Sequence, residues 1–457
     1  MDETILLSEV VSALSMALDL TEGQPMGHAI RSCILDMKIG EHLGLDSQQL
    51  SHLYYALLLK DSGCSTNSAR LHKILNSDDI QAKREVKLED WTKVSLSGLR
   101  YLNRNVSPQD STFARLKKML DVGLSQKQNN MDLISARCER GAEIARKIGF
   151  SPETSQAIHA LDEHWNGGGY PQGLAGQQIP ILARIISASQ TLEVFAAAHG
   201  PAFALSVLSK RSGTWFDPEI VRAAKNLELD PQLWQSLPAA TAHESVALLE
   251  PGSSLPASPE RIDNLCQAFA EIVDAKSPFT FRHSIGVTQI AVEIAGNLGL
   301  SAPRVTMIRR AALLHDIGKL GVSNSILDKP GKLTADEWVI MKMHRVYTRK
   351  ILSLITGFDE IASVAAAHHE RLDGTGYPDS MNASDLTLPA RIIACADVFQ
   401  ALSEKRAYRD DLPCEVVLKM MAQDVPAKLD VDCFNALQSQ YGVSSSNPMV
   451  QAHSAGR

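Results

Sequence analysis

Residues 311–320, AALLHDIGKL, and residues 368–378, HHERLDGTGYP, decide how this chain is interpreted. Each has a weaker counterpart nearer the N-terminus: ALLLKDSGCS at 56–65 lies 255 positions before the first, and LDEHWNGGGYP at 161–171 lies 207 before the second. Flanking segments pair in the same registers: 282–300 with 27–45, and 388–397 with 181–190. Because this period is far longer than that of a solenoid, the pattern predicts a duplicated domain.

The apolar residues recur mostly at helical spacing. After His283 they follow at steps of three or four: Val287, Ile290, Ile294 and Leu298. Thr334 followed by Glu337 is a capping-box signature that opens another helix. Strand-like alternation is short and rare. The sequence therefore predicts an all-α protein made of two tandem helical bundles.

The predicted boundaries follow from the repeat and from composition. Residues 1–236 form the first copy and residues 259–443 the second. Proline, glycine and serine are dense in 237–258, which predicts a linker. Residues 444–457 are polar and predict a flexible tail.

Composition limits the class of protein. The 457 residues are 44% hydrophobic and 21% charged, as in a globular protein, and the net charge of -7 gives no electrostatic case for duplex nucleic acid as a partner. The seven cysteines are scattered and never spaced CxxC, which favours a reducing compartment. With an acidic N-terminus and no uncharged apolar run of membrane-spanning length, we expect a cytoplasmic protein that does not enter the membrane.

The second copy contains a set of imidazoles and carboxylates on at least five separate segments. They are His283, His315, Asp316, His344, His368, His369 and Asp397. Such ligands suit divalent metals such as iron, manganese, nickel or zinc, and one aspartate can bridge two ions that share and deprotonate a water. Each residue alone has an ordinary explanation, since a lone histidine on an apolar stripe is usually a hydrogen-bonded core residue. The combination in this order, beside a GTGYP loop, favours a metal centre.

These motifs resemble the HD-GYP family of bacterial phosphodiesterases. The similar segments, between about 261 and 409, are LLHDIGKLGV, ILDKPGKLT, HHERLDGTGYP and ARIIACADVFQAL, with HS at 283 and HR at 344. The resemblance implies an all-α fold with two or three metals, commonly iron or manganese. It also implies hydrolysis of cyclic dinucleotides, chiefly cyclic di-GMP, to the linear form and often on to mononucleotides.

The resemblance also implies residue roles. The seven imidazoles and carboxylates would be metal ligands, with Asp316 bridging. Lys319 would neutralise a phosphate oxygen, which also makes physical sense because a preplaced cation stabilises developing negative charge. The loop of Gly376, Tyr377 and Pro378 would lie near the substrate or a partner, or would be a structural turn. For Arg391, phosphate contact and pairing with a core carboxylate both remain open.

One position departs from the family. Members that hold three metals have a glutamate four residues before the first histidine, where this chain has Phe279. The sequence therefore predicts two divalent transition metal ions, with iron or manganese as the expected elements.

The first copy has lost most of these residues. Its corresponding positions are His28, Lys60, Asp61, Arg137, Leu161, Asp162 and Gln190, and Cys64 stands where Lys319 does. Lysine and arginine repel a metal ion, so we expect this copy to be metal-free. It would then be a structural scaffold, or a regulatory domain in which Lys60 and Arg137 grip a nucleotide phosphate. In the plainer alternative these two cations pair with Asp61 and Asp162.

The functional prediction is a metal-dependent phosphodiesterase that converts cyclic di-GMP to linear pGpG, and on to GMP, by metal-activated hydroxide. Two alternatives stay open: a phosphodiesterase specific for mixed cyclic GMP-AMP, and a signalling adaptor that binds diguanylate cyclases. A phosphohydrolase of the wider HD superfamily is disfavoured by the GTGYP loop. A diguanylate cyclase partner and a homodimer are both compatible with the sequence.

Overall fold

The computed structural model describes residues 5–89, 96–239, 249–252, 255–405 and 410–442. These residues form α-helices and short 3-10 turns, and their only β-structure is isolated bridges. The predicted all-α class is therefore confirmed. The predicted tail 444–457 lies outside the described residues, as does much of the predicted linker 237–258.

The first half contains thirteen described helices. They are α1 (Leu7–Thr21), α2 (His28–His42), α3 (Ser47–Leu59), α4 (Ser68–Leu75), α5 (Asp79–Val86), α6 (Leu96–Asn105), α7 (Thr112–Leu124), α8 (Gln126–Ile148), α9 (Pro152–His159), α10 (Ile181–His199), α11 (Pro201–Arg211), α12 (Pro218–Lys225) and α13 (Pro231–Ser236). A 3-10 turn, Cys64–Asn67, follows α3.

The second half repeats the same order with fewer described helices. They are α14 (Pro259–Asp274), α15 (His283–Asn297), α16 (Ala302–Leu314), α17 (Asn324–Leu327), α18 (Ala335–Leu352), α19 (Asp359–Ala366), α20 (Leu388–Ser403), α21 (Cys414–Met421) and α22 (Val431–Tyr441). The 3-10 turn Ile317–Gly321 follows α16, as Cys64–Asn67 follows α3.

The start of α18 is fixed by its sequence. The Glu337 N–H donates to Thr334 Oγ1 at 3.3 Å, and the Thr334 N–H donates to Glu337 Oε2 at 2.7 Å. Two backbone N–H groups that the helix leaves unpaired are thereby satisfied. The predicted capping box is confirmed, and it sets the register that brings His344 to the buried face.

Helices α1 and α14 join the two halves by packing across their boundary. Each packs within its own half, and α1 also contacts the turn Ile317–Gly321 and α18, while α14 contacts α8. The Leu7 N–H donates to Leu255 O and the Ala257 N–H to Ile5 O, both at 2.8 Å. One continuous hydrophobic core therefore runs through both halves.

The turn that follows α16 in the second half lies against the backbone of a neighbouring helix. The turn that follows α3 in the first half does the same. A Cβ atom at Gly318 would lie 1.7 Å from the carbonyl oxygen of His344, and one at Gly63 would lie 1.9 Å from that of Arg137. Thr348 Oγ1 fixes the contact in the second half, accepting from the Gly318 N–H and donating to His315 O, both at 3.1 Å. Only glycine fits at these two equivalent positions.

Helix α10 is long and apolar enough to cross a membrane. It packs against α2, α9 and α11, and 61% of its most apolar window is buried within the first half. Its place among these helices accounts for its apolar composition.

We expect Gly318→Ala and Gly63→Ala each to destabilise the protein by roughly 1–3 kcal/mol or more, because the added methyl group collides with backbone rather than with a flexible side chain. Thermal unfolding measures this. Gly296→Ala is the matched control, since a Cβ there meets nothing within 4 Å and alanine favours the helix. An unchanged melting temperature for Gly318→Ala would contradict the close packing described here.

Candidate metal centre

The seven predicted ligands converge on one buried site. His283 begins α15, His315 and Asp316 lie between α16 and the turn Ile317–Gly321, and His344 lies on α18. His368 and His369 follow α19, and Asp397 lies in α20. All are buried except His369, whose side chain is 27% exposed. The site therefore opens to solvent on the side of His369.

Asp316 lies at the centre of the site. Its Oδ1 is 3.6 Å from both His344 Nε2 and His368 Nε2. Its Oδ2 is 3.2 Å from His315 Nε2 and 3.8 Å from His283 Nε2. Each oxygen of this one carboxylate therefore faces a different pair of imidazoles, as a ligand bridging two ions would.

Asp397 completes the other side of the site. Its Oδ1 is 3.1 Å from His283 Nε2 and 4.0 Å from His315 Nε2, and its Oδ2 is 3.6 Å from His369 Nδ1. In this site three sets of ligand atoms each lie close enough together to hold an ion. They are His344/His368/His369, His283/His315/Asp397 and His315/Asp316/His368. The residues therefore fit more than one metal position.

Three imidazoles are held in the same way by the backbone. Nδ1 of His315, His344 and His368 lies 2.6–2.7 Å from the carbonyl oxygen three residues earlier, to which it can only donate. Each Nε2 therefore presents a lone pair, and each is buried with no hydrogen-bond partner in the described residues. Asp316 Oδ1, also an acceptor, is likewise buried and unpartnered. Acceptors facing acceptors require a cation between them.

The electrostatics of three imidazoles agree with this, whereas at His283 hydrogen bonds to Asp397 and Glu404 outweigh burial and raise the pKa to about 9. Burial lowers the pKa of His344 and His368 well below the usual value and that of His369 to about 4, so these rings are neutral, as metal ligands must be. Burial alone would raise the pKa of Asp316, but neighbouring positive charge, that of Lys319 included, holds it well below its usual range. The carboxylate is ionised and available to bind metal.

Lys319 lies at the open edge of the site. It is on the turn Ile317–Gly321, its ammonium contacts Asp316, and its side chain is 16% exposed. This contact places the ammonium beside the central carboxylate, and the predicted role of Lys319 toward phosphate stays a prediction.

The glycine-tyrosine-proline loop packs directly against the site. The Tyr377 ring stacks on His369, with centroids 5.1 Å apart and planes 23° apart. A Cβ at Gly376 would lie 2.4 Å from Glu370 Cα, so glycine is required for this approach. Glu370 accepts N–H bonds from Asp379 and Met381 at 2.7 and 3.1 Å, which holds the loop in place.

Two residues near the site have no counterpart in the sequence predictions. Glu404 Oε2 lies 2.9 Å from His283 Nδ1 and orients that ring, and it lies on the same face as Asp397, seven residues earlier, which was an available signal. Arg345 is buried, with its guanidinium carbon 3.9 Å from the centre of the Tyr377 ring. Arg345 belongs to the HR segment at 344, but the sequence predicts no role for it, since its contact with Tyr377 is made across the fold.

Arg391 pairs with a carboxylate, the second of the two possibilities that the sequence left open. Its Nη1 pairs with Asp430 at 2.9 Å, and its Nε and Nη2 donate to the carbonyls of Leu386 and Ala383. The first half has the same pair, with Arg184 Nη1 2.5 Å from Asp217. Because the pair persists in a half that lacks the ligand set, it holds the fold together, and these contacts give no support to substrate binding by Arg391.

The corresponding site in the first half holds salt bridges. Lys60 pairs with Asp61, and Arg137 pairs with Asp162 through Nε at 3.0 Å and through Nη2. Glu22 lies within metal-binding distance of Asp61 and the Cys64 thiol, but burial raises the pKa of that thiol well above its usual value. The pairing considered from sequence is thus present, and the metal-free state of this half stays a prediction.

Comparison with known proteins finds a match in each half of the chain. A family model described as "HD domain" matches residues 124–220 and 267–432, more than half of the chain. The chain belongs to the HD domain family. With the HD and Gly-Tyr-Pro motifs present in its second half, it is an HD-GYP phosphodiesterase.

Several curated relatives of this HD-GYP protein are phosphodiesterases. It is 41% identical over 436 residues, covering 95% of this chain and 94% of the relative, to the 3'3'-cGAMP-specific phosphodiesterase 3 of Vibrio cholerae serotype O1. It is 40% identical over 33% of its length, and 40% of the relative's, to the cyclic di-GMP phosphodiesterase response regulator RpfG of Xanthomonas campestris pv. campestris. A crystal structure of a cyclic GMP-AMP specific phosphodiesterase of V. cholerae, V-cGAP3, superposes with a TM-score of 0.66 at 37% identity, covering 96% of this chain and 99% of that one.

We expect Asp316→Asn to weaken metal binding at least tenfold, because it removes the charge that both sets of imidazoles face. Metal content per chain, measured by elemental analysis after purification and dialysis, checks this. Asp61→Asn, at the equivalent position of the first half, is the matched control and should leave the metal content unchanged. Loss of metal in Asp61→Asn would show that the first half is not metal-free.

Proposed function

We propose that this cyclic dinucleotide phosphodiesterase hydrolyses 3'3'-cyclic GMP-AMP in preference to cyclic di-GMP. The main observation is the extent of similarity: the 3'3'-cGAMP-specific relative matches 95% of the chain, both halves included, whereas the cyclic di-GMP phosphodiesterase RpfG matches 33%. The comparisons therefore favour the alternative over cyclic di-GMP, the substrate expected first from the sequence.

The metal-holding residues we propose are His283, His315, Asp316, His344, His368, His369 and Asp397. The buried and unpartnered acceptors of this set support the assignment. Two divalent ions, iron or manganese, suit imidazole and carboxylate ligands. The chemistry that such ions supply when bound is polarisation of a phosphate and acidification of water.

The chain itself contributes charge and orientation. The Lys319 ammonium lies beside Asp316 at the solvent-facing edge, where it can neutralise a non-bridging phosphate oxygen as negative charge develops. Glu404 fixes the ring of His283, and the His369 ring is fixed by stacking on Tyr377. Water adds across one phosphodiester bond, and the product is the linear dinucleotide with a 5'-phosphate.

Aromatic residues beside the opening suit a nucleobase. Trp338 is 46% exposed, and its ring lies 6.1 Å from that of Tyr377. Stacking of a base on an aromatic ring is favourable for every base, so this surface supports binding of a dinucleotide without selecting guanine or adenine. Selection between the two substrates is proposed from the similarity alone.

A substrate panel tests the proposed preference. With manganese- or iron-loaded protein we expect kcat/KM for 3'3'-cyclic GMP-AMP to exceed that for cyclic di-GMP by at least tenfold. Linear product is quantified by chromatography for both substrates and for cyclic di-AMP. A higher kcat/KM for cyclic di-GMP would overturn the preference and leave the wider class intact.

We expect Lys319→Met to lower kcat by about 10²-fold or more, because the preplaced cation acts on charge that develops in the transition state. Metal content should stay at the wild-type level, which separates this role from metal binding. Lys350→Met, an exposed lysine on α18, is the control that should keep full activity. A kcat for Lys319→Met within threefold of wild type contradicts the assigned role.

A further inference from the structure

Helix α5 belongs to a segment that the first half has and the second half lacks. The two repeat registers, 255 and 207, differ by 48, so the first half has 48 more residues between Cys64 and Arg137 than the second has between Lys319 and His344. In these registers α4 corresponds to α17 and α8 to α18, and α5, α6 and α7 lie between α4 and α8. Between α17 and α18, where every residue is described, there is no helix. Helix α5 is therefore an addition to the degenerate half.

The first residue of α5 reaches into the active half. This residue, Asp79, is buried. Its Oδ1 accepts from the Asn324 N–H at 2.7 Å and from the Ser323 hydroxyl at 2.9 Å. Because Asn324 begins α17, a carboxylate of the degenerate half satisfies the start of a helix in the active half.

The other oxygen of Asp79 faces a buried lysine of the active half. Oδ2 lies 3.8 Å from Lys276 Nζ, and neither side chain is more than 1% exposed. Although burial raises it, Lys276 and Lys83 lower the pKa of Asp79 overall, and burial lowers the pKa of Lys276 to about 8. At pH 7 this is a buried charged pair, so loss of one partner leaves the other charge without compensation.

Lys276 connects this pair to the turn that carries Lys319. Its ammonium donates to the carbonyl oxygen of Leu320 at 3.1 Å, and Leu320 directly follows Lys319 in the turn Ile317–Gly321. Asn324 Nδ2 donates to the Lys276 carbonyl oxygen at 2.8 Å, which closes a ring of contacts among Asp79, Lys276 and Asn324. The backbone that follows Lys319 is therefore held by groups that meet at Asp79.

We propose that Asp79 of the degenerate half is a positioning residue for Lys319, because it holds the turn Ile317–Gly321 in the place that sets the ammonium beside Asp316. The inference rests on the proposed role of Lys319 in hydrolysis. A misplacement of about 1 Å in a catalytic group can lower the rate about 10²-fold, so one buried carboxylate outside the site is enough to affect turnover.

Amide hydrogen exchange on the metal-loaded full chain tests the contact without turnover. Asp79→Ala should speed exchange in the turn Ile317–Gly321 and in α17 about tenfold or more, because both lose the groups that hold them. Lys147→Gln is the matched control, since it removes another charge contact between the halves, that with Glu271 of α14, and should leave this exchange unchanged. Unchanged exchange of the turn in Asp79→Ala overturns the inference.

Steady-state hydrolysis of 3'3'-cyclic GMP-AMP and cyclic di-GMP tests the effect on Lys319. Asp79→Ala should lower kcat about tenfold on the substrate that is hydrolysed, with KM and metal content near their wild-type values. In the Lys319→Met background the same substitution should change kcat by less than about twofold, because the group that Asp79 positions is gone. An equal loss of kcat in both backgrounds places the effect of Asp79 elsewhere and overturns the inference.

A paired variant separates positioning from stability, and it decides if Asp79→Ala does not fold. Asp79→Asn with Lys276→Met removes both charges, so neither remains buried without a partner. The melting temperature should then be close to that of the wild type, while kcat stays at least about fivefold lower, because the Leu320 carbonyl has lost its donor. Recovery of kcat together with the melting temperature would show a role in stability alone and overturn the inference.

Failure of the proposed function gives a different result from failure of this inference. A wild-type kcat in Lys319→Met refutes the role of Lys319, and the positioning role of Asp79 with it. Unchanged amide exchange in Asp79→Ala, with kcat still dependent on Lys319, refutes the role of Asp79 alone.

Discussion

The arrangement of lone pairs around Asp316 is the constraint on which the rest of the active half depends. Three imidazoles donate Nδ1–H to backbone carbonyls three residues earlier, so their Nε2 atoms can only accept. They face a buried carboxylate that can also only accept. Such a group of acceptors is costly to bury unless a cation lies among them. The helices, the Gly318 contact and the loop at Tyr377 all hold the group of acceptors in this geometry.

The sequence was sufficient for the fold class and for the set of residues that converge. Helical periodicity and the internal repeat indicate packed helices, and each ligand lies in a short segment whose local pattern is recognisable. The remainder depends on contacts across the fold. Arg345 reaches Tyr377 from another helix, and Arg391 finds its carboxylate 39 residues away. Substrate preference depends on base contacts that no local pattern encodes.

The two halves share one backbone arrangement but differ in the side chains at the site. Both keep the glycine at the turn, the glutamate that holds the glycine-tyrosine-proline loop, and the arginine–aspartate pair. In the second half the carboxylates are left facing imidazoles, whereas in the first half Lys60 and Arg137 neutralise them from within. The first half thus places covalently attached cations where the second half presents buried acceptors that a metal ion would bind.

The packing of α1 and α14 across the boundary has a consequence for separating the two halves. Because Leu20 of α1 lies against Gly321, next to the catalytic turn, the half that lost its ligands still supplies part of the packing around the half that kept them. Deleting the degenerate copy would strip that turn of its cover and expose apolar surface. The first half therefore contributes to the rigidity of the catalytic turn from outside the ligand set, so the two halves are expected to unfold together.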